Sequence, residues 1–325
     1  MFQQLIEYLK KNPKRIVFTE GADPRILEAA SRLLAGTFLK PVLIGDPVEV
    51  QKAAEDAGYN IRGAEIEDPN NSAYMDEMVE IFCELRKSKG VTPEDARKTL
   101  AQGNYFGTMM VKMGKADALL GGATYSTADT VRPALQIIKT KPGHSIVSSC
   151  FILVRPSATG ENEVLAMGDC AINIKPTAEE LSEIAVEVAE CGKIFGIDPK
   201  VAFLSYSTLG SGKGEDVDKM RRAMELTRER APGLPVDGEL QFDAAVSPRV
   251  AQTKCKGSAV AGHANTFIFP DINAGNIGYK IAQRLGKFDA YGPILLGLNA
   301  PINDLSRGCN ALEVYSMAII TAALA

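Results

Sequence analysis

Histidine is almost missing from this chain of 325 residues; only His144 and His263 occur. Six cysteines stand at 83, 150, 170, 191, 255 and 309, and no two of them form a C-x-x-C pair. A zinc site needs clustered thiolate and imidazole ligands, so no metal centre is expected. Scattered thiols in a chain of this length fit a reducing compartment better than a secreted disulfide framework. Long apolar runs are missing too, since no window reaches the roughly 18 residues of a membrane span. The opening MFQQLIEYLKKNPKRIVF reads as an amphipathic helix running into a strand, without the apolar stretch of a signal peptide. An excess of basic residues is also lacking. The formal net charge is −4, whereas nucleic acid or an anionic membrane favours a basic face. The expectation is a cytoplasmic protein with no nucleic-acid, membrane or metal partner.

What is present is ordinary globular material, 46% hydrophobic and 23% charged, enough for about two domains. Apolar β-branched runs alternate with helical periodicity. Strands are read at Arg15–Thr19, Pro41–Ile44, Ala116–Leu120, Ile146–Leu153, Ala202–Tyr206, Ala259–Ala261 and Thr266–Phe269. Helices are read at Asp23–Ala35, Gln51–Ala57, Ala73–Ser88, Ala178–Phe195, Glu215–Glu229 and Asn310–Ala325. Strands separated by helices imply parallel βαβ units with sheets covered on both faces, hence an α/β fold. The polar breaks at Thr140–His144 and Gly297–Pro301 suggest a discontinuous first domain, 1–144 plus 300–325, and a second domain, 145–299. The last helix is too short to stand alone and is expected to pack on the first domain.

Three loops carry candidate chemistry. In PINDLSRGCNALEVY, Ser306 and Arg307 precede a helix. A serine at a helix start caps N–H groups, the helix dipole favours an anion, and an arginine fork can hold phosphate oxygens. Glu313 is a candidate base six residues on, and an N-capped helix with a surface Arg–Glu pair is the equal alternative. In GGATYSTADTVRPALQIIKT, two glycines after a strand permit close backbone approach, and Ser126, Thr127 and Arg132 suit phosphate. An ordinary strand-to-helix loop is the competing reading. SYSTLGSGKGED is rich in glycine but has neither Walker A spacing nor the hydroxyl after lysine; it reads as a flexible loop touching a ligand phosphate at most. Asn273 and Asn276 sit where a helix is expected to begin near 276, as ligand contacts or as turn and cap residues. His144 lies in a Pro-Gly break and reads as solvated. His263 reads as structural, and neither histidine has a triad partner in sequence.

Together these segments resemble the phosphate acetyltransferases. The resemblance rests on EGADPRIL, the stretch YFGTMMVKMGKADALLGGATYSTADTVRPALQIIKT, KPTAEELSEIA, LGSGKG, FPDINAGNIGYKIAQR and NAPINDLSRGC. It implies two α/β domains with mostly parallel sheets flanked by helices, the architecture of the isocitrate-type decarboxylating dehydrogenases, with the site in a cleft between the domains. It implies a homodimer and reversible transfer of acetyl between coenzyme A and inorganic phosphate, with coenzyme A as substrate and no cofactor. By this resemblance Ser306 and Arg307 match the catalytic Ser-Arg pair, and Arg132 and Arg86 match substrate-binding arginines. Glu313 stands where the family pattern has aspartate, one methylene longer, with Ser306 and Asp304 nearby to compensate.

Three rivals remain at this level. A phosphate butyryltransferase would run the same chemistry on a larger acyl group. An inactive homologue would bind coenzyme A or an acyl phosphate without turnover. A nicotinamide-dependent decarboxylating dehydrogenase would need clustered carboxylates on a divalent metal, and Asp243, Asp271 and Asp289 do not cluster in sequence. Cys309, near a helix start, allows a covalent route with ping-pong kinetics. No histidine is placed to activate it, and direct transfer in a ternary complex is preferred.

Overall fold

The computed structural model describes residues 2–157 and 160–325. The strands are β1 (Lys14–Phe18), β2 (Leu39–Ile44), β3 (Glu65–Glu67), β4 (Ala118–Gly121), β5 (Ser148–Pro156), β6 (Asn162–Gly168), β7 (Val201–Leu204), β8 (Val236–Leu240), β9 (Thr266–Ile268), β10 (Asp289–Leu296) and β11 (Ile302–Asp304). The helices are α1 (Phe2–Lys11), α2 (Pro24–Gly36), α3 (Pro47–Ala57), α4 (Met75–Leu85), α5 (Pro93–Leu100), α6 (Gly103–Lys112), α7 (Thr127–Pro133), α8 (Ala178–Ile194), α9 (Glu215–Arg230), α10 (Phe242–Val246), α11 (Pro248–Lys254), α12 (Ile272–Arg284) and α13 (Ala311–Ala323). Two compact units result. One combines the chain up to Pro142 with Leu298–Ala325, and the other is Gly143–Gly297.

The first unit is built on a wholly parallel sheet in the order β11-β4-β1-β2-β3. A parallel sheet is covered on both faces, which is why its central strands read as unbroken apolar runs. Ile16, Val17 and Phe18 of β1 are fully buried. Asp23 and Asp46 start α2 and α3 in the same way, each followed by proline at the first helical position and each carboxylate accepting from backbone N–H groups of the first turn. The last helix, α13, buries Val314 and nearly everything from Ser316 to Ala322. An apolar surface nearly all round is the pattern of an internal helix, and α13 packs on α1, α2 and β4.

The second unit holds a six-stranded sheet in the order β10-β5-β6-β9-β7-β8. Its β6, β9, β7 and β8 run parallel, while β10, β5 and β6 pair antiparallel. The sequence reading contained no hairpin, because NEVLAMG and DAYGPILL are interrupted by polar residues or glycine and show no strong period. The strand expected at Ala259–Ala261 is a turn. Ser258 Oγ accepts from Val260 N (3.2 Å) and Ala261 N (2.9 Å), and Gly257 and Gly262 on either side have positive φ. Nor is His144 solvated: its Nε2 lies 2.5 Å from Glu187 Oε1 on α8.

Candidate functional site

The loops that leave β1, β4 and β11 at their carboxyl ends meet in the first unit, where open α/β sheets bind ligands. From β1 come Thr19 and Glu20, from β4 the run Gly122–Ser126 into α7, and from β11 the stretch Leu305–Asn310. Glu20 ties the first two together. Its Oε1 accepts from Gly122 N and Thr124 N, both at 3.1 Å, and its Oε2 accepts from Thr19 Oγ1 at 2.7 Å. Burial pushes the Glu20 carboxyl above the usual range, against the pull of these donors. Thr19 Oγ1 also lies 2.8 Å from the OH of half-buried Tyr125, whose phenol desolvation pushes up.

Asp304 ties the β11 loop to α7. Only 2% exposed, it accepts from Thr127 Oγ1 at 2.6 Å and Thr130 Oγ1 at 2.5 Å. Burial raises this carboxyl too, with the two hydroxyls working in the opposite direction. Gly122, at φ +94°, makes the space, since a Cβ there would collide with Asp304 Oδ1.

Arg25, in the first turn of α2, is the third tie. Its Nε and Nη2 bond Asp23 (2.9 and 2.7 Å), Nη2 also bonds Ala123 O (2.9 Å), and Nη1 bonds Arg307 O (2.9 Å) and Cys309 O (3.2 Å). Burial works to raise Asp23, but the hydrogen bonds from Arg25 outweigh it and leave the carboxyl below its usual range. One guanidinium therefore fixes the backbone around Ser306 and Arg307 to the loop after β4.

Ser306 and Arg307 are exposed at the rim of this cluster. Ser306 does not cap the helix, as its position had suggested. It accepts from Gly308 N at 3.2 Å, and the cap of α13 is Asn310. Glu313 completes a capping box with Asn310: Asn310 N donates to Glu313 Oε2 and Glu313 N to Asn310 Oδ1, both at 2.9 Å. Ser126 stands at the N-cap position of α7 without a side-chain capping bond and donates to Asp129 Oδ2 at 2.7 Å, while Thr127 donates to Asp304. Arg132, more than half exposed, lies 3.3 Å from Asp129. Arg86 ends α4, and both arginines act electrostatically on the Tyr105 phenol, which burial raises and they lower. Tyr105 itself stands on α6, with its OH donating to Gln136 Oε1 at 3.2 Å.

Asn273 and Asn276 belong to the second unit. The helix there starts at Ile272, earlier than expected, with Asp271 as cap. Asn276 is therefore in its second turn, donating to Cys170 O at 3.1 Å. The glycine-rich loop is tied down rather than loose: buried Glu239 accepts from Gly210 N (2.7 Å) and Ser207 Oγ (2.8 Å), and Tyr206 OH donates to Lys213 O (2.8 Å). Among the described residues no group of histidine, cysteine, aspartate and glutamate is placed to hold a metal ion, and no helix is long and apolar enough to cross a membrane.

Cys309 is buried, and burial pushes its thiol up; Arg25, 3.7 Å from Sγ, offsets this only in part. A protonated thiol is a poor nucleophile. In the acyl transfer that the sequence resemblance implies, Cys309→Ala is expected to keep most of its kcat, measured as thioester formed from acetyl phosphate and coenzyme A. An abolished turnover would point to a covalent acyl-cysteine.

Sequence reasoning passed over Glu20, Arg25 and Thr130, met Tyr125 only as one of a run of hydroxyls suited to phosphate, and met Asp304 only as a neighbour of Ser306. A signal for Arg25 exists in Asp23–Pro24, a helix-start signature that sets Arg25 in the first turn.

A family model described as phosphate acetyl/butaryl transferase matches residues 1–322. The chain is 51% identical over 325 residues to the phosphate acetyltransferase of Bacillus subtilis, covering 100% of this chain and 99% of that protein. Among solved structures it is similar to a phosphotransacetylase from Streptococcus pyogenes, with 56% identity, a TM-score of 0.94, and 99% and 97% of the two chains covered. A branched-chain phosphotransacylase from Enterococcus faecalis shares the fold at 20% identity, with a TM-score of 0.67 and coverage of 96% and 99%.

Proposed function

Since the chain belongs to the phosphate acetyl/butyryl transferase family, we propose that the cluster on β1, β4 and β11 is where its acyl transfer takes place. The protein is an acyltransferase, and its reaction is that of a phosphate acetyltransferase: acetyl-CoA plus phosphate in exchange with coenzyme A plus acetyl phosphate. In the proposed mechanism the thiolate of coenzyme A attacks the carbonyl carbon of acetyl phosphate directly, within a ternary complex. Ser306 and Arg307 stabilise the tetrahedral oxyanion and the departing phosphate, and Arg132 and Arg86 draw the anionic substrates to the rim. Coenzyme A enters as a substrate, so no resident cofactor takes part. A homodimer working in the cytoplasm, with acetyl preferred over butyryl, belongs to the same reading and rests on the likeness to the acetyl-specific relatives.

The observation that carries the reading is the convergence of Ser306–Arg307 with the start of α7, fixed by Arg25 and Asp304. Two substrates need one rigid frame, and positioning supplies much of the rate. Glu313 enters this scheme as a cap. Glutamine also completes a capping box but has no basicity, so Glu313→Gln separates cap from base. With EDTA present, thioester formation from acetyl phosphate and coenzyme A should be robust in the wild type and largely kept in Glu313→Gln. A silent wild type would overturn the assignment and favour a binding protein, while a silent glutamine variant alone would restore Glu313 as base.

A further inference from the structure

Among the loops singled out in sequence, SYSTLGSGKGED is left without a task by the acyl-transfer scheme. It follows the carboxyl end of β7 in the second unit, the end at which open α/β sheets take ligands. Its residues are bound to one another and to the next strand. Buried Glu239 on β8 accepts from Ser207 Oγ and Gly210 N. Ser207 Oγ in turn accepts from Gly212 N at 2.8 Å, and Thr208 N donates to Ser211 Oγ at 2.9 Å. One large side chain stands out from this frame. Tyr206 is 63% exposed, yet its OH is bound to Lys213 O at 2.8 Å. The glycines make room for it: a Cβ on Gly212 would come to 2.8 Å from Tyr206 Cε2, and one on Gly214 to 3.2 Å from the phenol oxygen. A surface tyrosine ordinarily buries its ring and keeps its OH in water. Here the OH is bound within the loop and the ring is left open.

We propose that Tyr206 is a stacking platform for the adenine ring of coenzyme A. The inference rests on the acyl-transfer reading above, which makes coenzyme A a substrate. Phosphate, acetyl phosphate and the acetyl group have no ring, so adenine is the one flat π-system that the reaction brings to the protein. An aromatic ring stacks on any base because every base has a π-face. The bond to Lys213 O already restricts the tyrosine, so little freedom is lost when a base settles on it. The charges beside the ring do not make a phosphate cradle. On α9, Lys219 lies 3.4 Å from Asp216 and Arg221 3.5 Å from Asp218, and Lys213 and Glu215 add one charge of each sign. With no surplus of cations, what the loop presents to a ligand is the ring face. It meets the base, and the glycines serve to set the ring in place.

The reading and the inference fail differently. A silent wild type removes the reading itself, whereas the inference is decided by variants of an active wild type. Replacing a base-stacking ring by alanine costs about fivefold to a hundredfold in affinity. Tyr206→Ala should therefore raise KM for coenzyme A about tenfold or more, while kcat and KM for acetyl phosphate stay within about twofold of wild type. Adenosine bisphosphate, the nucleotide portion of coenzyme A, should compete with coenzyme A on the wild type, and its inhibition constant should rise by a similar factor in the variant. Tyr206→Phe keeps the ring without the tether and should stay within about threefold of wild type for coenzyme A. Tyr206→Leu keeps apolar bulk without a π-face and should behave like the alanine variant. If Tyr206→Ala does not fold, the leucine and phenylalanine variants decide. An unchanged KM for coenzyme A in Tyr206→Ala overturns the inference. So does a rise shared equally by acetyl phosphate, which would mark the loop as a support for the fold alone. An inhibition constant that does not move overturns it as well, as does a Tyr206→Phe as weak as the alanine variant, since the effect would then belong to the bond with Lys213.

Discussion

Arg25→Ala should lower turnover about a hundredfold and remove about 2–4 kcal/mol of stability. The guanidinium is wholly engaged within the protein, with Asp23 on one side and the carbonyls of Ala123, Arg307 and Cys309 on the other. Its removal leaves three carbonyls short of a donor, at about 1 kcal/mol each for partly buried groups, and Asp23 without its cation. The backbone that presents Ser306 and Arg307 then loses its tie to β4, and a displacement near 1 Å is enough for about two orders of magnitude in rate. Lysine cannot substitute, because one ammonium cannot serve four separated acceptors in the plane of a guanidinium fork. Thermal melts and thioester assays on Arg25→Ala and Arg25→Lys test this. A lysine variant within about threefold of wild type would show that charge at this place matters and the fork does not.

The second large effect is expected at a residue with no side chain. Gly122 holds φ +94°, and a Cβ on it would strike Asp304 Oδ1 and come to 3.1 Å from both Asp304 Cγ and Leu305 N. Gly122→Ala therefore combines a strained backbone with a collision against groups that cannot easily give way. About 3 kcal/mol or more of stability should be lost. Turnover should fall with it, because Asp304 can yield only by releasing Thr127 or Thr130. Denaturant unfolding and the same thioester assay read both losses. Unchanged stability would mean that the β11 loop is far softer than its hydrogen bonds indicate.

The contrast between legible and hidden elements has a physical cause. RIVF, PVLI and ALLG announce β1, β2 and β4 because both faces of a central parallel strand must be apolar. Strand β8 is VDGEL, with Glu239 completely buried, and it escapes any search for hydrophobic runs because Ser207, Gly210 and Arg221 satisfy that carboxylate from elsewhere in the chain. Strand β11 is three residues long, and its Asn303 is buried against Thr321 of α13. Ser126, Thr127, Arg132 and the Ser306–Arg307 pair were visible because hydroxyls and arginines beside glycine suit anions wherever they lie. The ties among them were not visible. Arg25 reaches a carbonyl 282 positions away and Asp304 a hydroxyl 177 positions away, and spacing within a motif carries no information over such distances. The capping box of Asn310 and Glu313, by contrast, is local and is spelled in the sequence as N-x-x-E.

The edge position of β11, described above as a matter of strand order, has a bearing on how the protein is made. A ribosome delivers β1 to β4 first, then the whole second unit, and only afterwards the strand and helix that complete the first sheet. Until then the faces of α1 and α2 that α13 covers stay open to water, to chaperones and to other nascent chains. The loop that carries Ser306 and Arg307 belongs to that final stretch. Chains released early therefore carry exposed apolar surface and no Ser306–Arg307 pair, which leaves them visible to quality control and unable to consume coenzyme A.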